Sequence, residues 1–406
     1  VATGAGVALW LRDRRAGHTP AQSIPTCQTD YGSAVSALND ALALRMTMDD
    51  LRYATGSVLS VASPRGVHPK LWGFVQWGVM VAYEGHKHLA NAHSLDLELS
   101  WDPEVAAAAR HSGKFFDDRW LSLDGVIGRF EELLASNRAA YFPPGRRGRA
   151  FDFLRHDLSI MIADEEVVLT NVSGYFMMGT PPATAANLEA IGPHGHRLAM
   201  GIGEAAAAFT SETLDAIRQH GNRELPPVSW WDATSSKALA SAFGGELPPP
   251  LAIAVMTVQS AVQIARRWAR ASCCRACVRA ARKHRFIVTH QALRSLELLR
   301  DGGRDLGRVG AMHVEDALRQ HNYLLSAPFR RLRNGWLHLG TTDLATELSA
   351  DATSTDLVRG YADMAPEELD AVVDGALDDI ARALNAWILR PDPRGRTLRD
   401  HLHSRS

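Results

Sequence analysis

Apolar residues recur every three or four positions along most of the chain, and the C-terminal part shows this spacing most clearly. Between residues 366 and 389 the apolar side chains fall on one helical face, while Asp370, Asp374 and Asp378 share another face. This spacing predicts a long amphipathic helix that packs one side on a bundle and leaves an acidic side in water.

Similar spacing predicts helices in both halves of the chain. The predicted segments are 33–46, 71–92, 103–110, 125–138, 151–169, 201–219, 251 to about 282, 285–299, 314–326 and a helix opened by Pro328. Residues 166–169 could instead form a short strand, although no second strand is evident beside them. The pattern predicts an all-α fold made of helical bundles.

The three prolines at 248–250 follow a Gly-Gly pair and are the strongest helix-breaking signal in the chain. They predict a boundary between a mainly helical N-terminal region, 1–247, and a C-terminal helical bundle, 248–395, followed by a polar tail, 396–406. Glycines and prolines also loosen the helical pattern near 179–200, which suggests a boundary within the N-terminal region. No role follows from the sequence of residues 1–200.

Composition is that of an ordinary globular protein. Apolar residues make up 46% of the 406 residues and charged residues 22%, and the net charge of −1 gives no general attraction to nucleic acid or membranes. No apolar stretch is long enough to cross a bilayer. The apolar run at 6–11 precedes its positive charges, the reverse of a signal peptide, so we expect a cytoplasmic protein without membrane partners.

Charge is unevenly distributed within the C-terminal half. Residues 247–296 contain nine Lys or Arg and no acid, whereas residues 343–379 contain eleven acids and a single Arg. Arg270 and Arg279 of the basic segment are candidates for contact with an RNA backbone. The alternative is that the basic segment pairs with the acidic one inside the fold or across a dimer.

Two clusters have some of the residues that bind metals. Cys273, Cys274 and Cys277 resemble part of a zinc motif, but zinc usually needs four ligands, and the only further candidates are His284 and the distant Cys27. Small buried apolar cysteines are the alternative. Glu84 and His88 are one helical turn apart and could share a metal, although surface histidines at a helix end explain them as well. We therefore predict no metal and no other cofactor.

The candidate catalytic residues of the chain lie at residues 329–339. Arg333 can fork two hydrogen bonds onto a phosphate, and His338 can both accept and donate a proton near neutral pH. Arg330, Asn334 and His338 are spaced by four and share a helical face, but Arg333 and His338 are splayed by about 140° on an ideal helix. Either the helix distorts at Gly335, or two copies of the motif converge across an interface.

The run Arg333-Asn334-Gly335-Trp336-Leu337-His338 resembles the Arg-polar-x-x-x-His motif of the HEPN superfamily. These are all-α domains, often ribonucleases, and many serve as toxins or in antiviral defence. The resemblance covers the last third to half of the chain, so the C-terminal bundle is expected to be HEPN-like. It implies a homodimer whose site forms where two copies pair, and a regulatory protein is a further conceivable partner.

The resemblance also implies roles for single residues. Arg333 would bind phosphate, Asn334 would support it, and His338 would handle the proton while the RNA's own 2′-hydroxyl attacks the adjacent phosphate, with no metal. Arg330 and Arg331, together with the two arginines of the basic segment, are the candidates for further RNA contact. The resemblance thus implies a metal-independent endoribonuclease, but the sequence does not identify its RNA substrate.

Two alternatives stay open. The C-terminal bundle could be a non-catalytic HEPN-like module for dimerisation or RNA binding. Alternatively, Arg155-His156-Asp157, with His111 upstream, resembles the metal-binding signature of the HD phosphohydrolases, although the glycine that often follows that signature is replaced by Leu158-Ser159-Ile160.

Overall fold

Helices account for most of the residues that the computed structural model describes. The described residues are 31–61, 68–116, 122–141, 156–221, 225, 227–271, 273–302, 306–339 and 352–404. The helices of the first half are α1 Tyr31–Val61, α2 Pro69–His93, α3 Pro103–Ser112, α4 Leu123–Tyr141, α5 Asn171–Met177, α6 Pro182–Ala185, α7 Leu188–Thr210 and α8 Leu214–Ile217. Those of the second half are α9 Ser235–Ser241, α10 Pro249–Trp268, α11 Arg275–Asp301, α12 Gly307–Arg319, α13 Ala327–His338, α14 Ser354–Ala362 and α15 Pro366–Ile388. The predicted all-α helical bundle fold is confirmed.

A small antiparallel sheet accompanies the helices. Its strands are β1 Leu158–Ala163, β2 Glu166–Thr170, β3 Ser229–Ala233 and β4 His403–Ser404, in the order β2-β1-β3-β4. The prediction of helix for the described part of 151–169 is therefore wrong. Every residue of β1 is buried, so the strand lacks the alternation that usually reveals a strand. The turn between β1 and β2 is formed by Asp164 and Glu165, which both have positive φ (48° and 66°). Asn-Gly is the usual sequence signal for such a turn, and it is absent here.

Helix α10 lies at the centre of the fold. Its side chains are buried along nearly its whole length, and it packs against α2, α4, α5 and β2 from the first half and against α11 and α15 from the second. Pro249 opens this helix, where its missing N–H costs nothing. The prolines at 248–250 thus begin a core helix inside one compact unit that spans residues 38–406. Residues 1–37 are assigned to another unit, of which only 31–37 are described.

Two further stretches differ from the predicted pattern. The single helix expected from 251 to about 282 is two helices, α10 and α11, which are separated around residues 269–274. Gly192 and Pro193, which suggested a loosened segment, lie inside α7. Within the described part of the chain, no single helix is both long and apolar enough to cross a bilayer; only residues 235–245 and 249–268, bent by 74°, pass that test of length and composition as a pair.

Candidate functional site

The predicted motif lies on α13, and the apolar residues of the motif fix this helix against α11. Phe329, Leu332 and Trp336 are buried. The Trp336 ring meets Phe286 of α11 edge-on at 5.3 Å between centroids, and the indole N–H of Trp336 donates to the Ser354 carbonyl at 3.1 Å. The helix ends at Leu339, whose φ of 54° is left-handed. The apolar face is thus held firmly while the polar residues face outward.

The polar residues of the motif form an exposed row along α13. Arg330, Asn334 and His338 are exposed, and Arg331 beside them is exposed as well. Arg333 is half-buried, and its Nη1 donates to Oδ1 of Asn334 at 2.9 Å. The structure therefore brings Arg333 and Asn334 together, and the helix runs through Gly335 without a break.

His338 is tied to a carboxylate that the sequence did not assign to the site. Its Nδ1 lies 3.5 Å from Oε2 of Glu84 on α2, while Oε1 of Glu84 accepts from Nε of Arg110 on α3 at 2.7 Å. Glu84 and Arg110 are 6% and 7% exposed, whereas the His338 side chain is 39% exposed. Among the described residues His338 makes no other hydrogen bond.

The charge of Glu84 is set by this environment. Burial by itself would raise the pKa of the carboxyl, but the hydrogen bond with His338 and the charge of Arg110 outweigh burial and lower the pKa to about 2. Glu84 is therefore ionised at neutral pH. A carboxylate on one ring nitrogen also fixes the tautomer and the ring orientation.

The sequence pointed to Glu84 for a different reason. It was paired with His88 as a conceivable metal site, but His88 instead lies 3.5 Å from Asp40 of α1. The signal that could have identified Glu84 is an acid directly after the apolar run 79–83 of a largely buried helix, since a buried acid needs a cationic partner. Sequence spacing alone could not say that the partners come from residues 110 and 338.

A positively charged environment lies on the α11 side of the motif helix. His290 of α11 is buried, and its pKa falls to about 3, first because of burial and then because of the charges of Arg333, Arg294 and Arg330. The positive field of Arg330 and Arg333 acts on a histidine that stays neutral, while Arg294 is also paired with Glu297. Such a field favours a bound anion, which is the property that phosphate binding requires.

Among the described residues, four of the eight arginines of the basic segment pair with the acidic segment. Asp370 accepts from both Arg282 (2.7 Å) and Arg285 (2.6 Å), and Arg285 also reaches Asp374 at 2.6 Å. Arg266 of α10 pairs with Asp378 at 2.6 Å. For these residues the structure shows the alternative, pairing inside the fold. The acidic face of α15 is therefore paired with arginines rather than left entirely in water.

The two arginines singled out for RNA contact differ in their surroundings. Arg270 is 56% exposed and lies 3.8 Å from Asp374, whereas Arg279 pairs with Asp49 of α1 at 2.6 Å. Arg279 also lines a pocket of about 200 Å³ together with Arg45 and Arg52. This volume is below that of typical small-molecule sites but is sufficient for a phosphate group. RNA contact by Arg270 or Arg279 stays a prediction.

The His-Asp pair in the N-terminal half does not lie on a helix. His156 and Asp157 directly precede β1, and Arg155 lies outside the described residues. The buried Asp157 accepts from the backbone N–H of Ser235 at 2.7 Å and from its hydroxyl at 2.6 Å, one bond to each oxygen. Because both oxygens serve to hold α9, Asp157 is poorly placed to bind a metal.

Two groups among the described residues have the composition and spacing to hold a metal ion. One consists of Asp40, His88 and His93, and the other of His220, Cys274 and Cys277. The second group includes two of the three motif cysteines, and its histidine is neither of the candidates that the sequence offered, His284 and Cys27. Cys27 lies outside the described residues, and His284 is buried against Trp77.

Comparison of the chain with protein-family models, with curated proteins and with solved structures found no match.

Proposed function

We propose that this chain is a metal-independent endoribonuclease of HEPN type, acting in the cytoplasm as a toxin or defence effector. The observation that supports this function best is the exposed row on α13 that ends at His338, whose ring is oriented by a buried, ionised Glu84. A histidine whose ring is oriented by a carboxylate at one nitrogen is suited to general acid–base catalysis through the other.

The proposed reaction cleaves a phosphodiester bond of RNA. The 2′-oxygen forms a bond to the adjacent phosphorus while the bond from phosphorus to the 5′-oxygen breaks. One His338 accepts the proton of the 2′-hydroxyl, and a protonated His338 of a second copy gives a proton to the leaving 5′-oxygen. The products are a 2′,3′-cyclic phosphate and a 5′-hydroxyl.

The second copy is part of the proposal because of the geometry of α13. An unbroken helix splays Arg333 and His338 by about 140°, so one copy does not direct both side chains at one phosphate. Pairing of two motif helices would place the arginine of one copy near the histidine of the other. We therefore expect the active species to be a homodimer.

Charge supports binding of the RNA backbone at the same surface. Arg330 and Arg333 act electrostatically on His290, and Arg331 is exposed beside them. Guanidinium groups can neutralise the charge that develops on phosphorus oxygens during attack. Arg270 and Arg279 would extend this contact along the strand.

The test is cleavage of labelled single-stranded RNA and transfer RNA by wild type and by His338→Ala. His196→Ala, at an exposed histidine of α7, is the matched control. A chelator is added only together with the RNA, and circular dichroism confirms that each protein remains folded. We expect wild type and the control to leave 2′,3′-cyclic phosphate ends and His338→Ala to lose at least about 100-fold in rate.

Equal cleavage by wild type and His338→Ala would contradict the proposal. The absence of cleavage by a folded dimer would favour the alternative, a non-catalytic module for dimerisation or RNA binding. The extensive pairing of basic residues with α15 favours that alternative, since it leaves fewer free charges for nucleic acid.

A further inference from the structure

Three potential metal ligands meet where the segment after α8 approaches the start of α11. Nδ1 of His220 lies 3.7 Å from Sγ of Cys274 and 3.6 Å from Sγ of Cys277. The two sulfur atoms are 2.9 Å apart, well beyond the length of about 2.05 Å of a disulfide bond. Cys274 and Cys277 follow His220 by 54 and 57 positions in the sequence, so the fold brings together ligands that are distant along the chain.

We propose that Cys273, Cys274, Cys277 and His220 form a tetrahedral structural zinc site. Zinc bonds of about 2.3 Å to sulfur and about 2.0 Å to nitrogen place sulfur and nitrogen ligands roughly 3.5 Å apart, and two sulfur ligands roughly 3.8 Å apart. The sulfur–nitrogen distances already match this geometry. The two sulfurs need to separate by roughly 0.9 Å, a change that small rotations of the cysteine side chains can supply.

The fourth ligand is assigned to Cys273. Its Sγ lies 3.4 Å from the carbonyl oxygen of His220, and its thiol interacts electrostatically with Cys277. Cys273 is exposed, so its side chain can turn toward the other ligands without displacing packed atoms. Three cysteines and one histidine make a closed set, as is usual for zinc that supports a fold rather than a reaction.

A helix start and a carboxylate lie beside the proposed ligands. Cys274 is the N-cap of α11, and its sulfur accepts from the backbone N–H of Cys277 at 3.3 Å. The start of a helix stabilises negative charge, and thiolates are the form that binds zinc. Nε2 of His220, the nitrogen away from the sulfurs, lies 3.9 Å from a carboxylate oxygen of Glu212, a placement common behind metal-bound histidines.

The backbone at His220 is held by a close approach of two glycines. A Cβ built on Gly221 would lie 2.1 Å from the backbone of Gly56 in α1, and a Cβ on Gly56 would lie 2.5 Å from the backbone nitrogen of Gly221. Only residues without a side chain fit at this contact. The histidine therefore belongs to a segment fixed on α1, and the metal would tie α1 and α11 together through it.

The first test uses the unaltered full-length chain, purified under reducing conditions. Elemental analysis should find one zinc per chain, and replacement by cobalt should give thiolate-to-cobalt charge-transfer bands with the strong visible bands of a tetrahedral site. Alkylation followed by peptide mapping should find Cys273, Cys274 and Cys277 protected until a chelator is added. These measurements use no variant, so they test the proposal even if the variants fail to fold.

Variants then assign the ligands. His220→Asn and Cys277→Ser should lose zinc, whereas the exposed control His196→Asn and Cys27→Ser should retain it. Cys273→Ser should weaken the charge-transfer bands by about one third, because one of three thiolates is removed.

Several results would overturn the assignment. They are the absence of zinc together with free, alkylatable thiols or a disulfide between Cys274 and Cys277, retention of zinc by folded His220→Asn, or its loss from folded Cys27→Ser.

Discussion

Glu84 is a buried carboxylate whose two oxygens serve different partners. One oxygen holds Arg110, which is itself buried, and the other faces His338 at the surface. The residue therefore stabilises the packing of α2 on α3 and at the same time orients the candidate catalytic histidine. Substitution of Glu84 tests both roles.

The first prediction is that Glu84→Gln destabilises the fold in a pH-dependent manner. The pKa of Glu84 falls from 4.5 to about 2 on folding, so the ionised carboxylate contributes about 3 kcal/mol above pH 4.5. That contribution is lost as the pH falls from 4.5 to 2, because in this range the unfolded chain binds a proton that the folded state does not. Urea unfolding of both proteins across this range measures it, and a stability difference independent of pH would contradict the assignment.

The second prediction concerns His284, which lies in an aromatic environment. Its ring stacks on Trp77 at 4.5 Å and meets Phe74 edge-on at 5.3 Å, and burial lowers its pKa from 6.5 to about 3. The unfolded chain therefore binds a proton first, and stability falls as the pH drops from 6.5 to 3. In His284→Phe the free energy of unfolding should depend less steeply on pH in this range, by up to about 1.4 kcal/mol per pH unit. At pH 7 the substitution should change stability by less than about 1.5 kcal/mol. Thermal or urea unfolding between pH 7 and pH 4 checks it, and unchanged slopes would refute it.

At the level of helices, the pairing between α11 and α15 makes neighbouring acids unequal. Asp370 serves two buried guanidinium groups, those of Arg282 and Arg285, whereas Asp378 is half-exposed and pairs with Arg266, which also contacts Glu166. Asp370→Asn should therefore cost about 3 kcal/mol and Asp378→Asn less than about 1 kcal/mol. The two urea midpoints measure the contrast, and equal midpoints would show that the buried pairs contribute no more than the exposed one.

Two helical glycines provide a matched test of packing. A Cβ at Gly310 of α12 would lie 2.3 Å from the ring of Trp387 on α15, whereas a Cβ at Gly375 of α15 meets nothing within 4 Å. Gly310→Ala should destabilise the fold by about 1–3 kcal/mol, and Gly375→Ala should stabilise it by about 0.5–1 kcal/mol. Opposite shifts of the melting temperature are expected, and shifts of the same sign would contradict the packing of α12 on α15.

The helices were largely predictable from sequence because each amphipathic helix carries its own 3.6-residue pattern. Helix α15 spans Pro366–Ile388, where apolar spacing predicted 366–389. The alternative of a short strand at 166–169 is confirmed by β2, but its partner β1 and the hairpin were missed because both strands are buried and the turn lacks glycine. Likewise, the motif residues of α13 were identifiable locally, whereas Glu84 and His220 join their clusters only through contacts distant in sequence.

At the scale of the whole molecule, α10 makes the two halves of the chain depend on each other. It packs on α2, α4, α5 and β2 as well as on α11 and α15. Separation of the chain at residues 247 and 248 would expose this core helix in one fragment and the surfaces that bury it in the other. We predict that neither fragment folds alone and that mixing them restores helical structure. Circular dichroism of each fragment and of the mixture measures this, and a cooperative melt of either fragment by itself would refute it.

The buried pair of Asp50 and Lys283 has a consequence for synthesis of the protein. Asp50 lies on α1 and Lys283 on α11, 233 positions later, and both side chains are nearly inaccessible to water. At roughly 5–20 residues per second, the ribosome needs on the order of ten to fifty seconds to deliver the partner of Asp50. During that interval α1 displays an acidic side chain amid apolar surface with nothing to neutralise it. The N-terminal half of the nascent chain therefore cannot complete the packing of α1 before Lys283 has been synthesised. A chaperone that shields α1 would act in this interval.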